Sequence, residues 1–564
     1  MKPSIRRGAA VAALVALLCG GLAACQAVPG SGPVQEGLTD LSQGEQPLQF
    51  NPGGPIAGTD PEGIVRGFVR AATRSDNNYE IAREFLAPDY AAKWLPGDQV
   101  FVNEGAQSYR QITDTVGELS VTGVATVDQS GTLTPLRSDQ GSTKMHFEFT
   151  KVGSEWRISS APNGVILDKS NFAVIWTSRP VYFLTPDNRL VAENRWFLNG
   201  ATLSTQIVSA LLAGPSEADA GALRTAFPSG TTLASDAVPV NGETAHIEFS
   251  PELLTSNPKN MELVRSQLAG SLQSVPGVTD FEISVNGAVV YSAPVSAPDS
   301  PTRASDLVTT VMKGGKIGTL VAGELEPLPR IGDRIAALHP DAVTLAANRR
   351  SAAVRHRAAG GSAVSWVTDA EIVTIDRRKG LGAPGLDRFG YLWSYASSEP
   401  DRILVQLPGS EAVRLRLPGL GGKVPVAVRL SPGGNRLAML VKDDRETSQV
   451  LVVSVVRDDA SKPVGLSNLT TTAMFPQGAP VDVDWVDELR VVALSRVSTG
   501  GKVTLAPLGQ LAQDAGTVPA AVSVSGGGSR MLIRVLDSGK RLFGPQGSGW
   551  QQQSDGVQLI ARVG

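Results

Sequence analysis

The sequence predicts a multidomain protein with an α+β N-terminal half and an all-β C-terminal half. Helical and strand periodicities alternate in the N-terminal half, whereas residues 307–564 consist almost entirely of short apolar runs separated by Gly, Asn and Asp turns. Segments 25–59 and 292–306 are rich in Pro, Gly and Ser, which is typical of a tether and a linker. A length of 564 residues is enough for three or four domains of ordinary size.

Composition excludes several classes of protein. The chain has 51 basic and 54 acidic residues, and this net charge of −3 argues against a nucleic-acid partner. Hydrophobic residues make up 42% of the chain, which is enough to form buried cores. The two cysteines, Cys19 and Cys25, are too few for a disulfide scaffold, a Cys-rich zinc site or an iron–sulfur cluster.

The N-terminus has the pattern of a secretory signal. Three basic residues within the first seven precede an uncharged apolar run, 8–24, which at 17 residues is shorter than the roughly 20 that a spanning helix needs. The run ends in Leu-Ala-Ala-Cys, where Ala24 precedes Cys25. This ending resembles a bacterial lipobox, in which small residues precede an invariant Cys.

The lipobox resemblance implies a signal peptide of residues 1–24 that is cleaved between Ala24 and Cys25. It also implies S-diacylglycerol and N-acyl groups, such as palmitate, on Cys25. An uncleaved anchor, or an ordinary secretory signal in which Cys25 is incidental, is the alternative. The tether 25–59 would then hold the folded domains at the extracytoplasmic face of the cell membrane, which is the expected localisation.

The first folded region, residues 60–177, places helices before strands. Asp60-Pro61 is typical of a helix start, and the apolar residues that follow share one helical face. Alternating apolar residues predict strands over 118–127 and 144–152. Helices followed by a curved antiparallel sheet resemble the NTF2-like cone, which is the expected fold of this region.

The second folded region, residues 178–291, alternates strands and helices. A helix predicted over 201–213 carries an apolar stripe and ends at Gly214-Pro215. The phrases ALLAGPS, LRTAFPSGTTL and VPGVTDFEISVNG, in this α+β order, resemble the GerMN domain. That resemblance implies an envelope or spore-associated module without established catalysis.

The third folded region, residues 307–564, repeats a short run, a polar turn and an apolar strand. Comparable points recur 38 to 55 residues apart, at Leu345, Leu392, Leu430, Trp485 and Val524. Propeller blades repeat at about 40–45 residues, so the spacing predicts a β-propeller of five to six blades, with a pair of β-sandwiches as the alternative. The longest interval predicts an enlarged loop within 442–479, and cleavage within 292–306 is expected to release a compact, nearly all-β fragment.

The order of lipobox, tether, cone-like region, GerMN-like domain, linker and propeller resembles the actinobacterial LpqB lipoprotein family over essentially the whole chain. The resemblance implies a membrane-anchored lipoprotein that binds and modulates the sensor kinase of the MtrA–MtrB two-component system, affecting envelope homeostasis and cell division. Its partners would be the cell membrane and the extracytoplasmic domain of MtrB, and not nucleic acid. A cell-wall polymer-binding lipoprotein is the alternative, and an extracytoplasmic hydrolase is a third possibility.

No residue pattern predicts a catalytic, cofactor or metal site, and we expect the protein not to be an enzyme. The four histidines lack metal-ligand spacing: His146 and His246 are expected to be solvated strand residues, His356 a surface residue and His339 a turn residue. No Ser lies in a Gly-x-Ser-x-Gly elbow and no Gly-Lys-Ser/Thr phosphate loop occurs.

Two further motifs are interpreted as structural. The segment from Gly380 to Gly385 fits Gly-x-Gly-x-x-Gly, but a strand pattern and not a helix follows it, so it is expected to be a propeller loop. Asp482 and Asp484 share one face of a strand, and calcium binding is conceivable there. Alternating polar residues on the outer face of a blade explain them as well.

Overall fold

The N-terminal region places its helices first, as the apolar spacing predicts. The computed structural model describes residues 52–137, 141–298 and 309–564. The first helix begins after Asp60, whose carboxylate accepts a hydrogen bond from the Gly63 N–H at 2.8 Å. The helices of the described residues are α1 (Pro61–Ala71), α2 (Asp76–Arg83), α3 (Pro88–Ala91), α4 (Lys169–Ile175), α5 (Leu203–Ala213), α6 (Pro258–Leu272) and α7 (Ile331–Ala337).

Two four-stranded sheets complete the N-terminal region, in the orders β5-β4-β1-β8 and β2-β3-β6-β7. Their strands are β1 (Gln99–Asn103), β2 (Ser108–Thr113), β3 (Val116–Val121), β4 (Gly123–Asp128), β5 (Leu133–Pro135), β6 (Thr143–Val152), β7 (Glu155–Ser160) and β8 (Val165–Asp168). Met145, Phe147 and Phe149 of β6 are buried, as their alternation indicates. The NTF2-like interpretation of this mixed α/β region stays a prediction.

A long hairpin leads from the first region into the second. Strands β9 (Trp176–Leu184) and β10 (Leu190–Leu198) pair antiparallel over nine residues, and β9 crosses the predicted boundary between residues 177 and 178. At one end of the hairpin the Trp196 ring lies 4.4 Å from that of Phe172 in the first core. At the other end Phe183 is buried in the second core, so one hairpin contributes to both.

The second region packs α5 and α6 against a mixed sheet of order β11-β12-β13-β14. Its strands are β11 (Val240–Asn241), β12 (Thr244–Phe249), β13 (Asp280–Val285) and β14 (Ala288–Pro294). Strands β12 and β13 are parallel, and α6 forms the crossover that a parallel pair requires. Strand β14 pairs only with β13 and lies at the edge of this sheet of the described residues.

In the described range 309–564 the chain forms a β-propeller of six blades, with the short helix α7 between its strands. Blade 1 contains β15 (Thr310–Lys313), β16 (Lys316–Val321), β17 (Glu324–Pro327) and β39 (Val557–Val563), and blade 2 contains β18 (Pro340–Leu345), β19 (Ser351–Ala358), β20 (Gly361–Thr368) and β21 (Ile372–Asp376). Blade 3 contains β22 (Gly385–Leu386), β23 (Leu392–Tyr395), β24 (Arg402–Gln406) and β25 (Val413–Arg416). The last strand, β39, pairs with β15, so the C-terminal strand of the chain completes the first blade and closes the ring.

The remaining blades complete the ring. Blade 4 contains β26 (Val424–Leu430), β27 (Arg436–Lys442), β28 (Ser448–Arg457), β29 (Pro463–Leu466) and β30 (Thr471–Met474). Blade 5 contains β31 (Ala479–Asp487), β32 (Arg490–Val497), β33 (Gly500–Pro507) and β34 (Gln513–Val518), and blade 6 contains β35 (Ala521–Ser525), β36 (Arg534–Asp537), β37 (Leu542–Gln546) and β38 (Gly549–Ser554).

Two details of the blade repeat differ from the sequence interpretation. Leu392 lies on the second strand of its blade, and Leu386, on the two-residue strand β22, occupies the inner position. A strand that short leaves no periodic apolar run to recognise. The extra length within 442–479 includes an additional strand, β30, which pairs with β28 and packs against β5 of the N-terminal region.

Candidate functional site

The predicted lipidation and cleavage residues, Cys25 and Ala24, lie outside the described residues. Within the described ranges no helix combines the length and apolar character needed to cross a bilayer. The same ranges contain no group of three or more His, Cys, Asp or Glu side chains arranged to hold a metal ion.

The positions of His146 and His246 agree with the strand pattern, whereas that of His356 does not. His146 is exposed, and His246 is partly exposed with its Nδ1 3.1 Å from a Glu282 carboxylate oxygen. The prediction of a surface position for His356 is wrong. That side chain is buried, with Nε2 2.9 Å from Ser365 Oγ, because inner and middle strands of a blade are covered on both faces by neighbouring blades.

The outer-face interpretation of Asp482 and Asp484 is also wrong, because both side chains are buried. Asp482 accepts hydrogen bonds from the guanidinium groups of Arg429 at 2.6 Å and Arg562 at 2.7 Å, and Arg562 Nε lies 3.3 Å from Asp484. Burial by itself raises the pKa of Asp482, but the two guanidinium groups hold it below its ordinary value. These two arginines supply the positive charge that a calcium ion would otherwise provide.

Strand β10 lies where the three folded regions meet. Trp196 Nε1 donates to the Gly509 carbonyl at 2.7 Å, and Asn194 Nδ2 donates to the Leu508 carbonyl at 2.9 Å. Gly509 has φ of 69°, and a Cβ there would lie 2.8 Å from the Asn194 carbonyl oxygen, so glycine permits this close approach. Strand β10 is thereby joined to the β33–β34 connection of blade 5.

Buried ionic contacts join the GerMN-like region to blade 4. Gly214 ends α5 with φ of 88°, and the short 3₁₀ turn Glu217–Asp219 that follows directs Asp219 into the propeller. Asp219 accepts from Arg436 at 3.0 Å and from the Ser454 hydroxyl. Arg436 also donates to the Ala192 carbonyl at 3.2 Å. We call the cluster of Glu193, Arg195, Asp219 and Arg436 the junction.

A second carboxylate belongs to the junction. Glu193 accepts from Arg195 at 2.8 Å and from the Ser216 N–H at 3.2 Å, and it is hydrogen-bonded to Asp219. Burial, followed by the proximity of Asp219, raises the pKa of Glu193 to about 7. Burial acts to raise the pKa of Asp219, but the charge of Arg436 together with hydrogen bonds from Glu193, Ser454 and Arg436 lowers it below its ordinary value, so Asp219 is ionised. The two carboxylates are therefore arranged to share one proton at mildly acidic pH.

The raised pKa of Glu193 predicts how stability depends on pH. The folded protein holds this proton more tightly than the unfolded chain, so its contribution to stability declines as pH rises from about 4.5 to about 7. Asp219 titrates below this window. We expect the melting temperature to fall more steeply in wild type than in Glu193→Gln between about pH 5 and about pH 7.5. Parallel pH profiles for the two proteins would contradict this assignment.

The N-terminal region contacts the same blade of the propeller. Arg137 Nη1 donates to Thr447 Oγ1 at 3.1 Å and lies 3.7 Å from the Asp443 carboxylate. Its guanidinium also lies over the Phe475 ring, 5.6 Å from the centroid. The N-terminal region and the GerMN-like region therefore both contact blade 4.

A groove of about 880 Å³ lies on the GerMN-like region, between α6, β14 and the turn of the β9–β10 hairpin. The Arg265 guanidinium stacks 3.8 Å from the Tyr291 ring centroid, and Arg265 Nε is buried without a hydrogen-bond partner among the described residues. Arg189 also lines the groove; burial, followed by the proximity of Arg388, lowers its pKa. Glu262 is an exposed acidic residue on the groove rim.

Comparison with known proteins assigns the chain to a family. Three family models match it: "Lipoprotein LpqB, N-terminal domain" over residues 54–173, "Sporulation and spore germination" over residues 180–291 and "Lipoprotein LpqB beta-propeller domain" over residues 315–559. Curated relatives named Lipoprotein LpqB include that of Streptomyces coelicolor, 26% identical over 97% of both chains. That of Bifidobacterium longum is 28% identical over 83% of this chain and 82% of its own.

Two solved structures resemble parts of the chain. The first GerMN domain of the sporulation protein GerM from Bacillus subtilis is 20% identical, with a TM-score of 0.18 over 22% of this chain and 98% of its own. TolB from Acinetobacter baumannii is 10% identical, with a TM-score of 0.26 over 44% of this chain and 82% of its own.

A mixed α/β N-terminal region, a GerMN domain and a C-terminal propeller together define a class of multidomain lipoprotein with actinobacterial relatives. The chain belongs to the LpqB lipoprotein family, so the resemblance inferred from its motifs is confirmed. This family is not a known enzyme family. Membership of a lipoprotein family is consistent with a membrane-associated protein.

Proposed function

We propose that the protein is a lipid-anchored, extracytoplasmic regulator that acts by contact with a sensor kinase. Its partner would be the extracytoplasmic domain of MtrB in the MtrA–MtrB system, as the family resemblance implies. The modified Cys25 would hold the protein in the same membrane as the kinase. The chain would then act by binding and would not turn over a substrate.

The observation that carries this proposal is the set of contacts that joins the N-terminal region and the GerMN domain to the propeller. The buried Asp219–Arg436 pair and the hydrogen bond from Trp196 of β10 join the GerMN domain to adjoining blades of the propeller, and the partly exposed Arg137–Asp443 pair joins the N-terminal region to it. Fixed surfaces lose less conformational entropy when they bind a partner, so a weak interface can still be occupied. Confinement to one membrane raises the effective concentration of that partner further.

Recovery of partners from membranes tests the proposal directly. Lipidated mature protein is captured from solubilised membranes of its native cells, and co-purified molecules are identified by mass spectrometry. Enrichment of the sensor kinase over a capture with an unrelated lipoprotein would support the proposal. Enrichment of cell-wall glycan without the kinase would favour the alternative of a wall-polymer-binding lipoprotein.

Replacing Cys25 by alanine should abolish both lipidation and function while leaving every folded domain intact. The thiol is the group that accepts the diacylglyceryl chain, and stable anchoring needs at least two acyl chains because each buried CH₂ contributes only about 0.8 kcal/mol. Metabolic labelling with a fatty acid and complementation of a deletion strain at matched protein level measure the two effects. Equal labelling of mutant and wild type would contradict the lipobox, and full rescue by the unlipidated form would contradict tethering.

A further inference from the structure

We propose that the groove beside β14 binds an acidic, extended polypeptide segment of a partner protein. This inference rests on the proposed function, because the natural source of such a segment would be the kinase ectodomain. It adds the binding surface and the chemistry that this surface recognises. Three features of the described residues support it: two arginines that form no ion pair, an open sheet edge and exposed aliphatic side chains.

The first feature is a pair of arginines that form no ion pair among the described residues, although Asp187 and Glu488 act on Arg189 from beyond ion-pair distance and Glu262 also lines the groove. Neither Arg189 nor Arg265 forms an ion pair with any acidic residue of the described chain, although both line the groove. Arg265 Nε is buried and has no hydrogen-bond partner there. A buried guanidinium N–H is costly to leave unpaired, and a carboxylate is the acceptor that arginine binds most strongly.

The second feature is the free backbone edge of β14. The Val295 N–H donates to the Thr279 carbonyl at 2.8 Å, so by strand alternation Ala293 and Tyr291 face β13. The backbone N–H and carbonyl of Ser292 and the carbonyl of Pro294 then point away from the sheet, where no described strand pairs with them. The register shifts at Val290, so the alternation does not extend beyond Tyr291. An extended peptide can add to such an edge by main-chain hydrogen bonds.

The third feature separates a peptide from a glycan as the occupant. Val289 and Val290 lie on β14 beyond the residues that line the groove and are 58% and 40% exposed, so aliphatic side chains of a strand that extends past the groove along β14 could pack on them. A sugar ring would instead stack on an open aromatic face, but Arg265 already lies over the ring of Tyr291. The edge, the valines and the two arginines together favour a strand that carries acidic and apolar residues.

Site-specific photo-cross-linking in the native cells tests this inference. The full chain carries Ser292→p-benzoylphenylalanine, and the matched control carries Asn241→p-benzoylphenylalanine on the opposite edge of the same sheet. After irradiation, the cross-linked peptide is identified by mass spectrometry. We expect a product from position 292 in which the linked segment contains at least two acidic residues.

Charge variants in the same background establish the role of the groove. Arg265→Ala and Arg189→Ala should each reduce the yield of the product by about tenfold, whereas Arg265→Lys, which keeps the charge, should retain most of it. Circular dichroism of each purified variant establishes that it is folded. Because Arg189 does not stack on Tyr291, its variant remains informative if Arg265→Ala fails to fold.

The outcomes distinguish the inference from the proposed function. A linked acidic segment from the kinase supports both, and one from another envelope protein supports the groove while contradicting the kinase as partner. A product no stronger than that of the control, a linked glycan, or a yield unchanged in both arginine-to-alanine variants would overturn the groove as an acidic-peptide site.

Discussion

Replacing Arg436 by alanine should separate the propeller from the GerMN domain. Arg436 is buried, and its guanidinium donates to the Asp219 carboxylate and to the carbonyls of Ala192 and Glu488. Without it, Asp219 is left buried beside Glu193 with no cation from the propeller side. Removing one partner of a buried ion pair costs about 3–5 kcal/mol, so we expect this interface to open at neutral pH.

A protease site inserted between Ser300 and Pro301 allows the interface to be measured without the covalent linker. After cleavage, the two wild-type fragments should remain together in gel filtration, because the buried contacts hold them. This differs from the release expected from the linker composition alone. The Arg436→Ala fragments should elute separately, whereas Arg445→Ala, an exposed arginine of the same blade, should behave as wild type. Co-elution of the Arg436→Ala fragments would show that the junction is dispensable.

Domain order and most strand and helix positions were predictable because each depends on local patterns. The helix after Asp60 follows from a cap and an apolar stripe, and the strand containing Phe147 follows from alternation. The family was predictable because motifs such as the loop after Ala226 are contiguous in sequence. Each of these signals is contained in one short, contiguous stretch of sequence.

Residues buried by neighbouring domains or blades were not predictable in the same way. Three polar residues in a row, Glu193 to Arg195, interrupt the apolar pattern of β10, and such a run is typical of solvated chain. The structure instead places Glu193 and Arg195 on the same buried face of the strand as Val191 and Phe197. The two side chains are buried because the segment from Gly214 to Asp219 covers them, and Arg436 of the propeller, more than 200 residues away in sequence, pairs with Asp219. The one sequence signal for their burial was the presence of two opposite charges, Glu193 and Arg195, two residues apart on one face of a strand.

The same reasoning explains the errors at Asp484 and His356. Alternation identifies two faces of a strand, but inner strands of a propeller blade are packed between two neighbours, so polar residues on either face are buried and paired. His356 is bonded to Ser365, and Asp484 lies beside Arg562 from another blade. The Asp484–Arg562 contact joins two blades, whereas the His356–Ser365 hydrogen bond joins neighbouring strands within blade 2.

Replacing Asp482 by alanine should destabilise the whole propeller, because this carboxylate connects four consecutive blades. Located on β31 of blade 5, it accepts from Arg429 of blade 4, from Ser523 and the Val524 N–H of blade 6, and from Arg562 of the closing strand β39. Its loss leaves two buried guanidinium groups facing Asp484 alone. That arrangement leaves one buried positive charge uncompensated, which costs about 3–5 kcal/mol.

Urea unfolding of the full mature chain, followed by circular dichroism, measures this cost. Asp482→Ala should lower the denaturation midpoint and detach β39, so that limited proteolysis removes the C-terminal residues first. Asp482→Asn keeps the shape and some hydrogen bonds, and should fall between Asp482→Ala and wild type. Asp459→Ala replaces an exposed carboxylate of the neighbouring blade 4 and should leave the free energy of unfolding within about 0.5 kcal/mol of wild type. If Asp482→Ala matches Asp459→Ala, ring closure depends on the apolar contacts of β39 and not on this carboxylate.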